Sequence, residues 1–171
     1  TVKKPKEFLP RMHEIFAECG IAFVLLPHLK NSGVNGAVKW VTDDRVVLAI
    51  NNRGVYADKF WFSLFHEIRH VLQQKIKKVF ISSTLEEMMD INNKLEIDAD
   101  KFAKNYLISP EDYRRLAPSR YISDDEIVEF AKTIGIHPGI VAGRLQHEGI
   151  IPQERCSKLK EKYVFETKKI A

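Results

Sequence analysis

Cysteine is scarce in this sequence, and long apolar runs are missing from it. The two cysteines, Cys19 and Cys156, stand far apart with no CxxC pair, which argues against a disulfide framework and a cysteine-rich zinc site and points to two reduced thiols. The longest apolar run, IAFVLL at 21–26, is about a third of the roughly 20 residues a membrane-spanning helix needs, and no charged-then-apolar leader opens the chain. A cytoplasmic location with no membrane partner is the expectation. Internal repeats and low-complexity segments are also absent. An excess of positive charge is missing from the middle of the chain, where the two signs nearly balance: the formal net charge of +4 collects at the ends, in TVKKPK and in residues 153–171, which carry six Lys or Arg against three Glu. Such runs are solvated faces or tails more often than nucleic-acid contacts.

What is present fits a folded protein: 44% apolar and 29% charged residues over a length of 171, enough for one hydrophobic core. Residues 1–150 are expected to form the domain and 151–171 a basic C-terminal tail or helix. KEFLPRMHEIFAECG spaces Phe8, Met12, Ile15 and Phe16 as a helix and stops at Gly20. IAFVLLP, GAVKWVT and RVVLAIN follow as three strand-like pieces. ADKFWFSLFHEIRHVLQQK then gathers Phe60, Trp61, Leu64, Phe65, Ile68, Val71 and Leu72 on one helical arc, leaving His66, Glu67, His70, Gln73 and Gln74 on the other. KLEIDADKFAKNYLI is a second such helix. Ser109 is positioned to cap the next one, and Ser123 with Glu126 forms a capping box before a helix that stops at Gly135. A last helix runs from Pro138 to a stop at Gly149. The fold class read from this order is α+β, a small three-stranded sheet beside a helical bundle.

The chemistry concentrates in HEIRH, residues 66–70. Residues i and i+4 of a helix lie about 40° apart, so His66 and His70 project side by side and both imidazoles can reach one cation. Zn2+ suits the pair, and Glu67, adjacent but rotated, can take a proton from water without itself being a ligand. With this His and Glu content, the chance expectation of one HExxH match is about 0.02 per chain. A third ligand is then required. The HExxHxxGxxH continuation is absent, because VLQQKIKK follows instead. On the second helix, Glu96 falls about 20° from both Ala103 and Leu107, inside the apolar stripe, where a carboxylate is costly unless it is paired or bound to a cation. Glu96 is therefore the candidate third ligand. Asp100, about 40° beyond it, can accept a hydrogen bond from the far nitrogen of His66 or His70 and so fix the imidazole tautomer. Asp98 falls on the opposite side of that helix.

LFHEIRHVLQQKIKKVFI, EIDADKFAKNYLISPEDY and AKTIGIHPGIVAGRLQHEG together resemble the ImmA/IrrE family of metallopeptidase domains, especially the form fused behind a DNA-binding helix-turn-helix in HigA-type antitoxin regulators. The resemblance covers roughly residues 20–150, and Arg69 stands where many members carry Gly. It implies a zincin-like fold of the gluzincin type and a zinc-dependent endopeptidase, with Glu67 as general base and His66, His70 and Glu96 as metal ligands. It also implies a protein substrate, a helix-turn-helix repressor or antitoxin cleaved in stress or mobile-element regulation, with a toxin as a further partner.

Two other functions compete. IVEFAKTIGIHPGIVAGRL imitates a helix-turn-helix, but residues 123–148 carry five acidic side chains against Lys132 and Arg144, a poor balance for meeting phosphate. The segment fits better as a wall of a peptidase cleft, where His137 or Arg144 can meet the carbonyl oxygen of the scissile bond; for His137, capping the helix that starts at Pro138 is the simpler role. The other competitor is a non-catalytic antitoxin or transcriptional-regulator domain that acts by binding a protein partner.

Overall fold

Alternating β-branched and apolar residues pair into one mixed sheet. In the computed structural model, which describes residues 4–26, 35–51, 56–73, 85–116 and 121–165, β1 (Ile21–Leu26), β2 (Gly36–Trp40) and β3 (Val46–Asn51) stand in the order β1-β3-β2. β3 is central, parallel to β1 from Ile21↔Val46 to Leu26↔Asn51 and antiparallel to β2 from Gly36↔Ile50 to Trp40↔Val46. Val46, Leu48 and Ile50 are buried, and the residues between them are only partly covered, as the two-residue period of a strand requires. The β2–β3 connection is closed by the Val41 N–H donating to the Arg45 carbonyl at 2.9 Å and by Thr42 Oγ1 donating to the Asp44 carboxylate at 2.6 Å. Within this sheet β2 is an edge strand.

Six α-helices accompany the sheet among the described residues: α1 (Pro5–Glu18), α2 (Ala57–Leu72), α3 (Leu85–Leu107), α4 (Pro110–Leu116), α5 (Asp124–Thr133) and α6 (Pro138–His147). The start and stop signals act locally. Ser109 Oγ accepts from the Asp112 N–H at 3.0 Å. Ser123 and Glu126 close a reciprocal capping box at 3.2 and 2.7 Å, and Gly20, Gly135 and Gly149 follow their helices at φ near +70°, a left-handed geometry that costs glycine little. α3 begins at Leu85, nine residues before the Lys94 start expected from sequence; nothing in LEEMMDINN breaks a helix, and Lys94 pairs back to Asp90 at 2.6 Å, one turn earlier.

α2 packs against β2 and β3 and also against α3 and α6. That double coverage encloses the polar arc of α2 as well as the apolar one. Phe60 and Leu64 are buried, but so are Glu67, His70 and Gln73, while Leu72 from the apolar arc is 59% exposed. The apolar face sits on the sheet in one core cluster with Phe23, Leu48, Ile50 and Tyr163, and the polar face is covered by α3. A second cluster joins α5 and α6 to Ile108, Leu116, Ile122 and Ile151. Of the segment 151–171, expected as a basic tail or helix, the described residues 151–165 contribute Ile151, Cys156 and Tyr163 to these cores and include a 3-10 turn at Ser157–Leu159. Tyr163 accepts a hydrogen bond from Trp61 Nε1 at 2.8 Å. No helix among the described residues is long and apolar enough to cross a membrane.

Candidate metal centre

α2 and α3 run antiparallel, and their facing side chains meet in a regular register. His70 lies opposite Glu96, Arg69 opposite Asp98, and His66 opposite both Glu96 and Asp100. Ala99 and Ala103, both fully buried, let the helices approach closely, as small residues at a helix contact do. The i, i+4 spacing on α2 brings His66 Nε2 and His70 Nε2 to 2.9 Å of each other. From α3, Glu96 Oε2 lies 3.2 Å from His66 Nε2 and Glu96 Oε1 lies 3.3 Å from His70 Nε2. Among the described residues these three side chains form a group able to hold a metal ion.

The protons on the two imidazoles follow from their outer neighbours. His66 Nδ1 lies 2.9 Å from Asp100 Oδ1, and a carboxylate only accepts, so this nitrogen carries the hydrogen. His70 Nδ1 faces Gln73 Oε1 at 2.8 Å. The orientation of that amide is forced, because Gln73 Nε2 sits between two acceptors, the Leu95 carbonyl at 3.1 Å and Asp98 Oδ2 at 2.8 Å; the Gln73 oxygen must therefore receive the His70 N–H. A neutral imidazole with its proton on Nδ1 presents a bare lone pair at Nε2. With both rings neutral, two such nitrogens and two carboxylate oxygens converge at about 3 Å with no hydrogen between them, an arrangement that a proton or a metal cation at its centre relieves. A tetrahedral zinc with ligands at 2.0–2.1 Å separates neighbouring donors by about 3.3 Å, close to the distances found. The residues present fit the ion.

Glu96 reaches this point differently from the sequence-based expectation. Its side chain is 61% exposed rather than buried in the apolar stripe, because it leans out over the helix contact toward the two rings. Asp100 adopts the position expected of it, on His66. Asp98, placed by the helical wheel on the far side, instead accepts from Arg69 Nε at 2.6 Å and from Gln73, and these donors, Arg69 first, hold its carboxyl below the usual carboxylate range. Arg69 is thereby drawn onto α3, over the Phe102 ring.

Glu67 is 8% exposed and lies against β2. A Cβ built on Gly36 would stand 2.5 Å from Glu67 Cγ and 2.6 Å from its Oε1, so the absence of a side chain at Gly36 makes the room this carboxylate occupies. Gly36 and Gln73 are the two residues of the site that sequence reasoning missed. For Gln73 a signal existed, its i+3 spacing from His70; for Gly36 none did.

His137 and Arg144 are engaged elsewhere. His137 caps α6, its Nδ1 accepting from the Gly139 N–H at 3.1 Å, and its Nε2 faces Glu161. Arg144 Nη1 donates to the carbonyls of Lys104 and Ile108 at 3.0 and 2.8 Å, its Nε to Glu148 at 3.2 Å, and its guanidinium lies over Tyr113. The guanidinium closes the C-terminal end of α3. No family model and no curated protein matches the chain.

Proposed function

We propose that this chain is a zinc-dependent endopeptidase of the ImmA/IrrE kind on a zincin-like fold, acting on a protein substrate of the helix-turn-helix repressor or antitoxin class. The observation that carries the chemistry is the convergence of two Nε2 nitrogens and one carboxylate on a single point, with a buried glutamate, Glu67, following His66 in the chain. The substrate class rests on the sequence resemblance alone.

His66, His70 and Glu96 would hold the ion, leaving a coordination position open for water or substrate. When bound, zinc polarises a carbonyl and makes water a nucleophile near neutral pH. Glu67, held against Gly36, takes the proton of the attacking water and returns it to the departing amine nitrogen. Asp100 and Gln73 keep both imidazoles in the tautomer that ligates. The outer side of β2 offers main-chain groups to which an extended peptide can add as a further strand, and it passes Glu67 at Gly36. Direct DNA reading is disfavoured by burial as well as by charge: Ile140, Val141, Ala142, Leu145 and Gln146 of α6 are buried, so little of that helix is left to enter a groove.

Elemental analysis of the purified protein, combined with incubation against the repressor or antitoxin encoded beside it, tests the proposal. One zinc per chain and cleavage abolished by a chelator are expected, with Glu67→Gln retaining the metal and losing cleavage. A Glu67→Gln variant that keeps full biological function would favour a partner-binding module instead.

A further inference from the structure

Three helices meet around a second concavity. Lys59 and Ser63 of α2, Lys104 of α3, and Ile140, Gly143 and His147 of α6 all line one cavity of about 560 Å3, within the roughly 300–1,000 Å3 range of small-ligand sites. Spacings of i+4 on α2 and of i+3 and i+4 on α6 put each set on one helical face. Phe62 and Leu107 add to the apolar wall that Ile140 begins. None of the three metal ligands is among its walls. Phe62 links the two places, since its ring centroid lies 6.3 Å from that of His66 and 5.7 Å from that of His147.

The charge of this lining is one-sided. Lys59, Lys104, Arg144 and Lys160 line the cavity against a single acid, Asp58. That acid is already spent: its side chain is 9% exposed and its Oδ2 holds Lys160 Nζ at 2.8 Å. Arg144 is spent as well, on Glu148 at 3.2 Å and on the Lys104 and Ile108 carbonyls. Two ammonium groups are left over. Lys59 and Lys104 make no ion pair and no side-chain hydrogen bond among the described residues, and Ser63 Oγ makes no hydrogen bond there either. Lys59 is exposed, so water serves it, but Lys104 is partly buried, where an unmatched charge costs more. Two like charges on the walls of one cavity also repel each other. A negatively charged ligand relieves both conditions.

The rest of the lining narrows the class. A cation would add to the excess. A neutral apolar molecule would suit Phe62, Leu107 and Ile140 and leave both ammonium groups unmatched, and a monoanion would match one of them. Two negative charges on a short apolar or aromatic body meet every part of the lining. The phosphate of a monoester, at about −1.5 to −2 near pH 7, or a pair of carboxylates can accept from the two lysines and from the Ser63 hydroxyl, while the body lies along the apolar wall.

We propose that this cavity binds a small organic dianion, a phosphate monoester or a dicarboxylate, through Lys59, Lys104 and Ser63. The site stands apart from the peptidase reading, because no metal ligand takes part in it. Titrating phenyl phosphate, phenylsuccinate, benzoate, benzyl alcohol and benzylamine into zinc-loaded and chelator-treated protein tests it, with NMR shifts of the Ser63 and Gly143 backbone amides as the reporter. At least one dianion is expected to move both amides with and without zinc, and to bind at least about tenfold more tightly than benzyl alcohol or benzylamine, with benzoate between. Which of the two dianions binds better identifies the anionic group. Lys104→Met should weaken that dianion about tenfold and Lys59→Met about threefold, and Lys104→Arg should restore most of the binding. All three variants should keep the parent's urea midpoint, since neither lysine is paired in the fold. Equal affinity for benzyl alcohol or benzylamine, binding unchanged in both Met variants, no shift at either amide, or binding that disappears with the zinc would overturn the assignment.

Discussion

Gln73→Leu removes the side chain that links the Nδ1 nitrogen of His70 to α3. Gln73 is fully buried and makes three hydrogen bonds: it accepts from His70 Nδ1 at 2.8 Å and donates to the Leu95 carbonyl at 3.1 Å and to Asp98 at 2.8 Å. Leucine has a similar volume and leaves the His70 N–H and the Leu95 carbonyl without this partner. At about 1–3 kcal/mol for a buried group left unsatisfied, and with Asp98 keeping Arg69, the metal-free protein should lose about 2–4 kcal/mol. The released imidazole can also place its proton on the nitrogen that ligates. Loss of such an outer partner costs 10–100-fold in metal affinity, about 1.4–2.7 kcal/mol. Urea denaturation of chelator-treated protein measures the first quantity, and competition against a chromophoric zinc chelator measures the second. A variant within about 0.5 kcal/mol of the parent in stability, against the 1–3 expected for even one orphaned group, and with unchanged zinc affinity would refute the tautomer argument.

Three further outcomes are expected. Gly36→Ala puts a methyl group 2.5 Å from Glu67 Cγ, so cleavage should fall about 100-fold, the cost of moving a reacting group by about 1 Å, while zinc stoichiometry holds; full activity would show that Glu67 has another place to go. Arg144→Met leaves the Lys104 and Ile108 carbonyls without this donor and should lower stability by about 2–3 kcal/mol with little change in kcat of the folded enzyme, whereas a large kcat loss at unchanged stability would support a catalytic role. Cys156 is buried, its S–H faces Asp124 at 3.2 Å, and burial pushes the thiol up to about 11. Iodoacetamide at pH 8 should therefore modify the exposed Cys19 and spare Cys156 until urea is added, as peptide mass mapping will show. Because the folded-state value is raised, this stabilisation is intact below the ordinary thiol range and is lost as pH climbs toward 11.

The parts of the site that were legible in sequence are the local ones. His66, Glu67 and His70 follow from helical spacing within a single turn, and Asp100 from its place one turn after Glu96. The Glu96 position was legible but its exposure was not, since a wheel assigns a face without showing how far a long side chain leans out of it. Gln73 and Asp98 fall off the apolar face of their helices because a wheel finds one such face, whereas α2 is covered on two sides, by the sheet and by α3, and the two residues meet across the α2–α3 contact. The strands β1, β2 and β3 were read within two residues of their bounds, while their order, with β2 at the edge beside Glu67, depends on pairings that no local pattern encodes. Gly36 and Arg144 show the same limit: each acts on a residue more than 30 positions away, through a contact that exists only once the chain is folded.

Zinc K-edge X-ray absorption on the purified protein addresses the central geometry most directly. Two imidazole nitrogens and carboxylate or water oxygens at about 2.0–2.1 Å, with the imidazole scattering reduced by half in His66→Ala, are predicted. A metal shell containing sulfur at about 2.3 Å, or one unchanged in His66→Ala, would contradict the account.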